Sequence, residues 1–136
     1  MASELRVTTI ANNAGTESVD TTYVVNGSAK AWALFDQTVP QLDDSFNTSS
    51  LTDTSTGRGD LNWTNGMSNN TYTSAFNIGY FSVANAYMGG VYDDSTIPGK
   101  TRTASKFYFA VTYGDNSATS FIDYSYLQIV IHGDLA

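Results

Sequence analysis

The clearest alternation lies late in the chain, where Phe107, Phe109, Val111 and Tyr113 interleave with Lys106, Tyr108, Ala110 and Thr112. A two-residue period marks a strand, because successive side chains point to opposite faces of a sheet. The same period organises residues 122–132, with Tyr124, Tyr126, Gln128 and Val130 on one face and Leu127, Ile129 and Ile131 on the other. Ala29, Ala31, Ala33 and Phe35 alternate with Lys30, Trp32 and Leu34, and bulk on both sides predicts a strand covered on both faces. The longest predicted strand sets Tyr72, Ser74, Phe76, Ile78 and Tyr80 against Thr73, Ala75 and Asn77. Residues 45–53 and 60–65 predict a hairpin around Thr54-Ser55-Thr56-Gly57-Arg58-Gly59, with Leu61 and Trp63 sharing a face.

Nearer the N-terminus the pattern weakens. Residues 3–10 read as a short strand with Leu5 and Val7 opposite Arg6 and Thr8, broken by Asn12-Asn13-Ala14-Gly15. A polar stretch over 16–20 reads as a linker. Thr21-Thr22-Tyr23-Val24-Val25 then predicts a strand closed by Asn26-Gly27, and residues 36–44, with Pro40 inside, predict a loop. Asn65-Gly66-Met67-Ser68-Asn69 and Gly114-Asp115-Asn116 read as turns. Gly89-Gly90 marks a bend or bulge after Tyr87 and Met88, and 93–103 is a polar loop with a Pro98-Gly99 turn. No segment carries a helical stripe over three turns. The expectation is an all-β fold, an antiparallel β-sandwich (jelly-roll-like) of about eight strands, with an N-terminal arm at 1–20 and a body at 21–136.

Composition agrees with that class. Only 14% of the 136 residues are charged, against about 25% in an ordinary globular domain, and Thr, Ser, Asn, nine tyrosines and seven phenylalanines fill the deficit. The length suits one domain. With no cysteine, disulfides, thiolate metal sites and a cysteine nucleophile are excluded. A formal charge of −7 argues against phosphate backbones and anionic lipid, so no nucleic-acid partner is expected. Glu4 and Arg6 near the start do not fit a secretory signal, and no apolar run approaches the ~20 residues of a membrane span. A soluble product of a cytoplasm, without membrane insertion, is expected.

Candidate chemistry is sparse. His132 is the sole histidine and suits a rim or interface position better than catalysis. The acidic pairs Asp43-Asp44 and Asp93-Asp94 could hold calcium or flank a sugar, but they lack the EF-hand pattern and read first as solvated turn formers. Arg58-Gly59-Asp60 spells an adhesion tripeptide at a place where a hairpin needs glycine and aspartate. Asn-x-Ser/Thr triplets at Asn26, Asn47, Asn62 and Asn69 are expected by chance in such a chain. Trp32 and Trp63 could stack on sugars, although their strand positions favour burial. The loop set Tyr87, Tyr92, Asp93, Asp94, Lys100 and Arg102 has the composition of a recognition surface. No Ser-His-Asp order, phosphate loop or dinucleotide fingerprint is present, so no catalytic, cofactor or metal residues are assigned and no enzyme is expected.

Several segments, in order, resemble the C-terminal domains of tailed-bacteriophage fibre proteins. They are Ser3-Glu4-Leu5-Arg6-Val7-Thr8-Thr9-Ile10, Tyr23-Val24-Val25-Asn26-Gly27-Ser28-Ala29-Lys30-Ala31-Trp32, and Asp44-Ser45-Phe46-Asn47-Thr48-Ser49-Ser50-Leu51-Thr52-Asp53. Thr56-Gly57, Gly59-Asp60 and the closing Ile129-Val130-Ile131-His132-Gly133-Asp134 extend the likeness over nearly the whole chain. The resemblance implies a virion structural protein, a homotrimer whose arm attaches to other phage virion proteins through Leu5, Val7 and Ile10. Distal loops would contact a host surface glycan or protein. A capsid-decorating head fibre or cement protein is the neighbouring expectation, and a carbohydrate-binding module the more distant one. The surplus of aromatic side chain suits a subunit interface.

Overall fold

The computed structural model describes residues 6–79, 86–91, 102–114 and 119–136, with backbone alone at 86–91, 114 and 119. The chain opens with a small hairpin, β1 (Thr9–Ala11) and β2 (Ser18–Asp20), which runs into a seven-residue helix, α1 (Thr21–Gly27). Nine further strands follow: β3 (Ala31–Asp36), β4 (Gln41–Phe46), β5 (Thr48–Ser55), β6 (Arg58–Trp63), β7 (Thr73–Ile78), β8 (Ala86–Val91), β9 (Lys106–Gly114), β10 (Thr119–Phe121) and β11 (Leu127–His132). They form two antiparallel sheets. One is ordered β4-β3-β11-β7; the other runs β10-β9-β6-β5 with β8 on the second edge of β9.

The all-β expectation holds, with more strands than the eight expected. The core forms where the sheets face each other. Ala31, Ala33 and Phe35 of β3 and Leu127, Ile129 and Ile131 of β11 supply one wall; Leu61 and Trp63 of β6 and Phe107, Phe109 and Val111 of β9 supply the other. Phe35 meets Phe109 across the seam with ring centroids 5.0 Å apart, and Phe76 meets Phe109 at 5.9 Å, both tilted as aromatic quadrupoles prefer. Tyr108 and Ala110 are also buried, although they lie on the face of β9 turned away from this core.

Four local readings are corrected. Residues 21–25 are helical despite their β-branched side chains, because Asp20 caps the segment by accepting from Thr22 N at 2.7 Å. Thr21 Oγ1 donates to the Val7 and Thr8 carbonyls, and Ser28 N closes the far end on Val24 O. The polar stretch expected as a linker becomes β2. Residues 36–44 are not all loop: after a short turn fastened by Asp36, whose Oδ1 accepts from Thr38 N and Oγ1, β4 pairs with β3 as an edge strand. Its acidic residues fit an edge, where charge discourages further pairing. Gly89-Gly90 forms no bulge, since β8 stays in continuous register with β9.

Two single residues hold the corners. Asn47, at φ +55°, carries the chain from the first sheet into the second. Its Nδ2 donates to the Lys30 and Asn65 carbonyls, both at 3.0 Å, and its Oδ1 accepts from Asn65 N at 2.7 Å. Gly57, at φ +67°, forms the β5–β6 turn at the point where β9 exchanges β6 for β10 as its neighbour. A Cβ there would lie 2.5 Å from Ile122 N and 2.6 Å from Val111 O, so only glycine fits. The turn thus falls at Thr56-Gly57, and Arg58-Gly59-Asp60 lies within β6 instead of at the tip.

Candidate functional site

The two ends of the four-stranded sheet differ in kind. Ala31, Ile131 and Ser74 are paired at one end; Phe35, Leu127 and Ile78 are paired at the other, about four residues of strand away, or roughly 13 Å. The N-terminal arm enters at the first end, through the buried Lys30, whose N donates to Ile131 O at 2.8 Å. Lys30 Nζ reaches back to Ser28 Oγ and the Val25 carbonyl, tying the helix terminus to the body.

None of the residues of β1, β2 or α1 is buried. Val7, Ile10, Val19, Tyr23, Val24 and Val25 are all exposed, Tyr23 by 75%. An isolated two-stranded hairpin and a two-turn helix are each marginal in water, and here no packed face supports them. Two of the three residues expected to attach the chain, Val7 and Ile10, therefore stand open to a partner; Leu5 lies outside the described residues.

At the opposite end, the connection into β11 and the turn after β3 enclose an open groove of about 510 Å³. Thr38, Gly79, Asp123, Tyr124, Ser125 and Tyr126 line it, with Ile122. Tyr126 is 62% exposed and sits at φ +61°, a conformation that costs a bulky L-residue about 1–2 kcal/mol. Gly79 lies across from it: Gly79 N donates to Tyr126 O at 2.8 Å, and a Cβ on Gly79 would come within 2.9 Å of Tyr126 Cβ. Asp123 is fixed by accepting from Gly57 N at 2.6 Å. A carboxylate offers about four acceptor positions, and this bond takes one of them among the described residues, leaving room for another donor.

A third surface crosses the outside of the same sheet. Phe46, Trp32, Val130 and Ala75 are aligned in register over all four strands, and Phe46 is 52% exposed. The next row is Asp44, Leu34, Gln128 and Asn77. The outer face of β3 is therefore only half covered, although burial on both faces was expected.

The sequence-predicted recognition residues fall elsewhere. Tyr92, Asp93, Asp94 and Lys100 lie outside the described residues, and Tyr87 is described by backbone only, opposite Tyr113. Arg102 is half-buried: its guanidinium donates to Tyr72 O at 3.0 Å and lies over the Tyr72 ring, before β7 and thus at the end where the arm enters. In the Arg58-Gly59-Asp60 stretch, Arg58 covers the Phe121 ring at 3.7 Å and buried Asp60 pairs with Lys106 at 2.7 Å, so the tripeptide serves packing. Trp63 is in the core, edge-on to Tyr72. His132 closes β11 opposite Thr73. Asp43 and Asp44 belong to β4, where Asp43 accepts from Gln41 and Asp44 from Ser45 N. Among the described residues no group of acidic or histidine side chains could hold a metal, and no helix is long and apolar enough to cross a membrane.

Sequence reasoning missed the groove. The two-residue period places Tyr124 and Tyr126 on one face of a strand, whereas β11 begins only at Leu127. Comparison with known families, curated proteins and solved structures finds no match to this chain.

Proposed function

We propose that the chain is a phage virion structural protein of the short tail fibre or receptor-binding kind, which docks by its N-terminal arm and presents the far end of its sandwich to a host surface. The observation that carries this reading is bipolarity. The arm and the helix α1 that follows it, with six exposed apolar side chains between them and no buried residue in β1, β2 or α1, join one end of the four-stranded sheet. A groove with an exposed tyrosine lies at the other end. The resemblance to fibre proteins supports the same layout, and the mechanism needs no chemistry. Arms anchor several copies together, sister bodies associate, and weak contacts by the outer ends combine because tethering raises effective concentration.

The apolar row Phe46-Trp32-Val130-Ala75 is suited to a sister copy in this reading. The same row favours a second reading, a capsid-decorating or cement protein, in which it would meet the shell laterally. Gold-labelled antibody against the body, viewed on whole virions, separates the two. Label at the tail agrees with the first reading. Label on the capsid faces overturns receptor binding and leaves decoration.

A further inference from the structure

We infer that the groove lined by Thr38, Gly79, Asp123, Tyr124, Ser125 and Tyr126 is a binding site for a pyranose sugar, with the Tyr126 ring as its stacking platform. This deepens the proposed contact with a host surface by naming the ligand class, and it is argued from the groove alone.

Three observations converge. A groove of about 510 Å³ lies within the usual range for small-molecule sites, and far exceeds a single ammonium head. Its lining is amphipathic in the manner of a sugar: flat aromatic surface to meet the C–H face of a ring, with a carboxylate and the Thr38 and Ser125 hydroxyls to meet hydroxyl groups. The carboxylate is already oriented, because Gly57 N holds Asp123 Oδ1 at 2.6 Å, so little is lost in ordering it when a ligand arrives.

The third observation is strain. Tyr126 occupies a left-handed conformation that asparagine or glycine would adopt more readily, yet its ring is mostly exposed and does little for the core. A backbone outlier whose side chain is turned out to solvent signals a role other than stability. Gly79 makes the arrangement sterically possible, since any Cβ there would strike Tyr126.

The test uses the full chain with methyl glycosides of glucose, galactose, mannose and N-acetylglucosamine, and choline chloride as a cationic probe, followed by saturation-transfer NMR. At least one glycoside should bind. Tyr126→Asn should weaken that binding about tenfold with an unchanged or raised Tm, whereas Tyr126→Phe should stay within about threefold because the stacking face is kept. Asp123→Asn, which can still accept from Gly57 N, should weaken it about fivefold or more. Absence of binding to every glycoside at tens of millimolar overturns the inference. So does a preference for choline, which would mark a cation site, or a fall in Tm for Tyr126→Asn, which would make the ring structural. Any of these failures leaves the location of the protein on the particle, read by antibody, as a separate result.

Discussion

Replacing Asn47 tests how the two sheets are joined. Its side chain makes four hydrogen bonds, to the Lys30 and Asn65 carbonyls and from Asn65 N and Nδ2, and its own carbonyl accepts from Thr64 N at 3.1 Å. Asn47→Ala removes the four side-chain bonds, at about 0.5–1.5 kcal/mol each. It also places a residue with no αL preference at φ +55°, costing roughly 1 kcal/mol more. The sum is about 3–7 kcal/mol, and for a chain of this size that lowers Tm by roughly 10 °C or more. Asn47→Gly isolates the two contributions, because it loses the same bonds but accepts the backbone angle; it should recover about 1 kcal/mol of the loss. The assay is urea denaturation of the wild type and both variants, read by tryptophan fluorescence from Trp63 in the core. A loss under 1 kcal/mol in Asn47→Ala would refute the corner-post argument. An alanine variant more stable than the glycine variant would refute the argument from φ.

Gly57→Ala should be worse than either, since its Cβ has no space between Ile122 N and Val111 O; a drop of about 3 kcal/mol or more, or failure to fold, is expected in the same assay. Gln37 is 1% exposed and neither of its side-chain amide atoms finds a partner among the described residues, so Gln37→Met should raise stability by about 1–2 kcal/mol. Asp20 is held below its ordinary value of 3.8 by hydrogen bonds from the Thr22 backbone and side chain. Asp36, though burial pushes it up, is held lower on balance by bonds from Thr38 and Val39. Both carboxylates therefore stabilise the fold fully above the unfolded value near 4 and lose that contribution as pH falls through their lower folded values. Chemical shifts of Thr22 and Thr38 amides, followed from pH 6 to pH 2, should move only below about pH 4; movement centred above pH 5 would contradict these caps.

The parts of the fold legible in the sequence are those where one face meets the core. Ala31, Ala33 and Phe35, Leu127, Ile129 and Ile131, and the alternation in β9 all lie as the two-residue period places them. The β5–β6 hairpin was legible too, though its turn is tighter than the expected 54–59 and its first strand starts only after Asn47. Misreadings cluster where burial gives no signal. Helix α1 buries nothing, so its composition spoke for a strand while a single cap at Asp20 decided otherwise. Strand β4 is a polar edge, and its Asp43-Asp44 and nearby Pro40 imitate a loop. The groove was illegible for a different reason. It depends on the backbone angle of Tyr126 and on Gly79, a partner 47 residues earlier (126 − 79), and neither leaves a periodic trace.

Whether the arm depends on a partner is settled by amide hydrogen exchange, read by mass spectrometry on the isolated monomer and on the same chain in assembled particles. In the monomer, amides of the arm hairpin and α1, residues 9–27, should exchange far faster than those of β3, β6, β9 and β11, and in the particle they should become protected as well. Strong arm protection in the lone monomer, or an arm still open to exchange in the particle, would contradict the account.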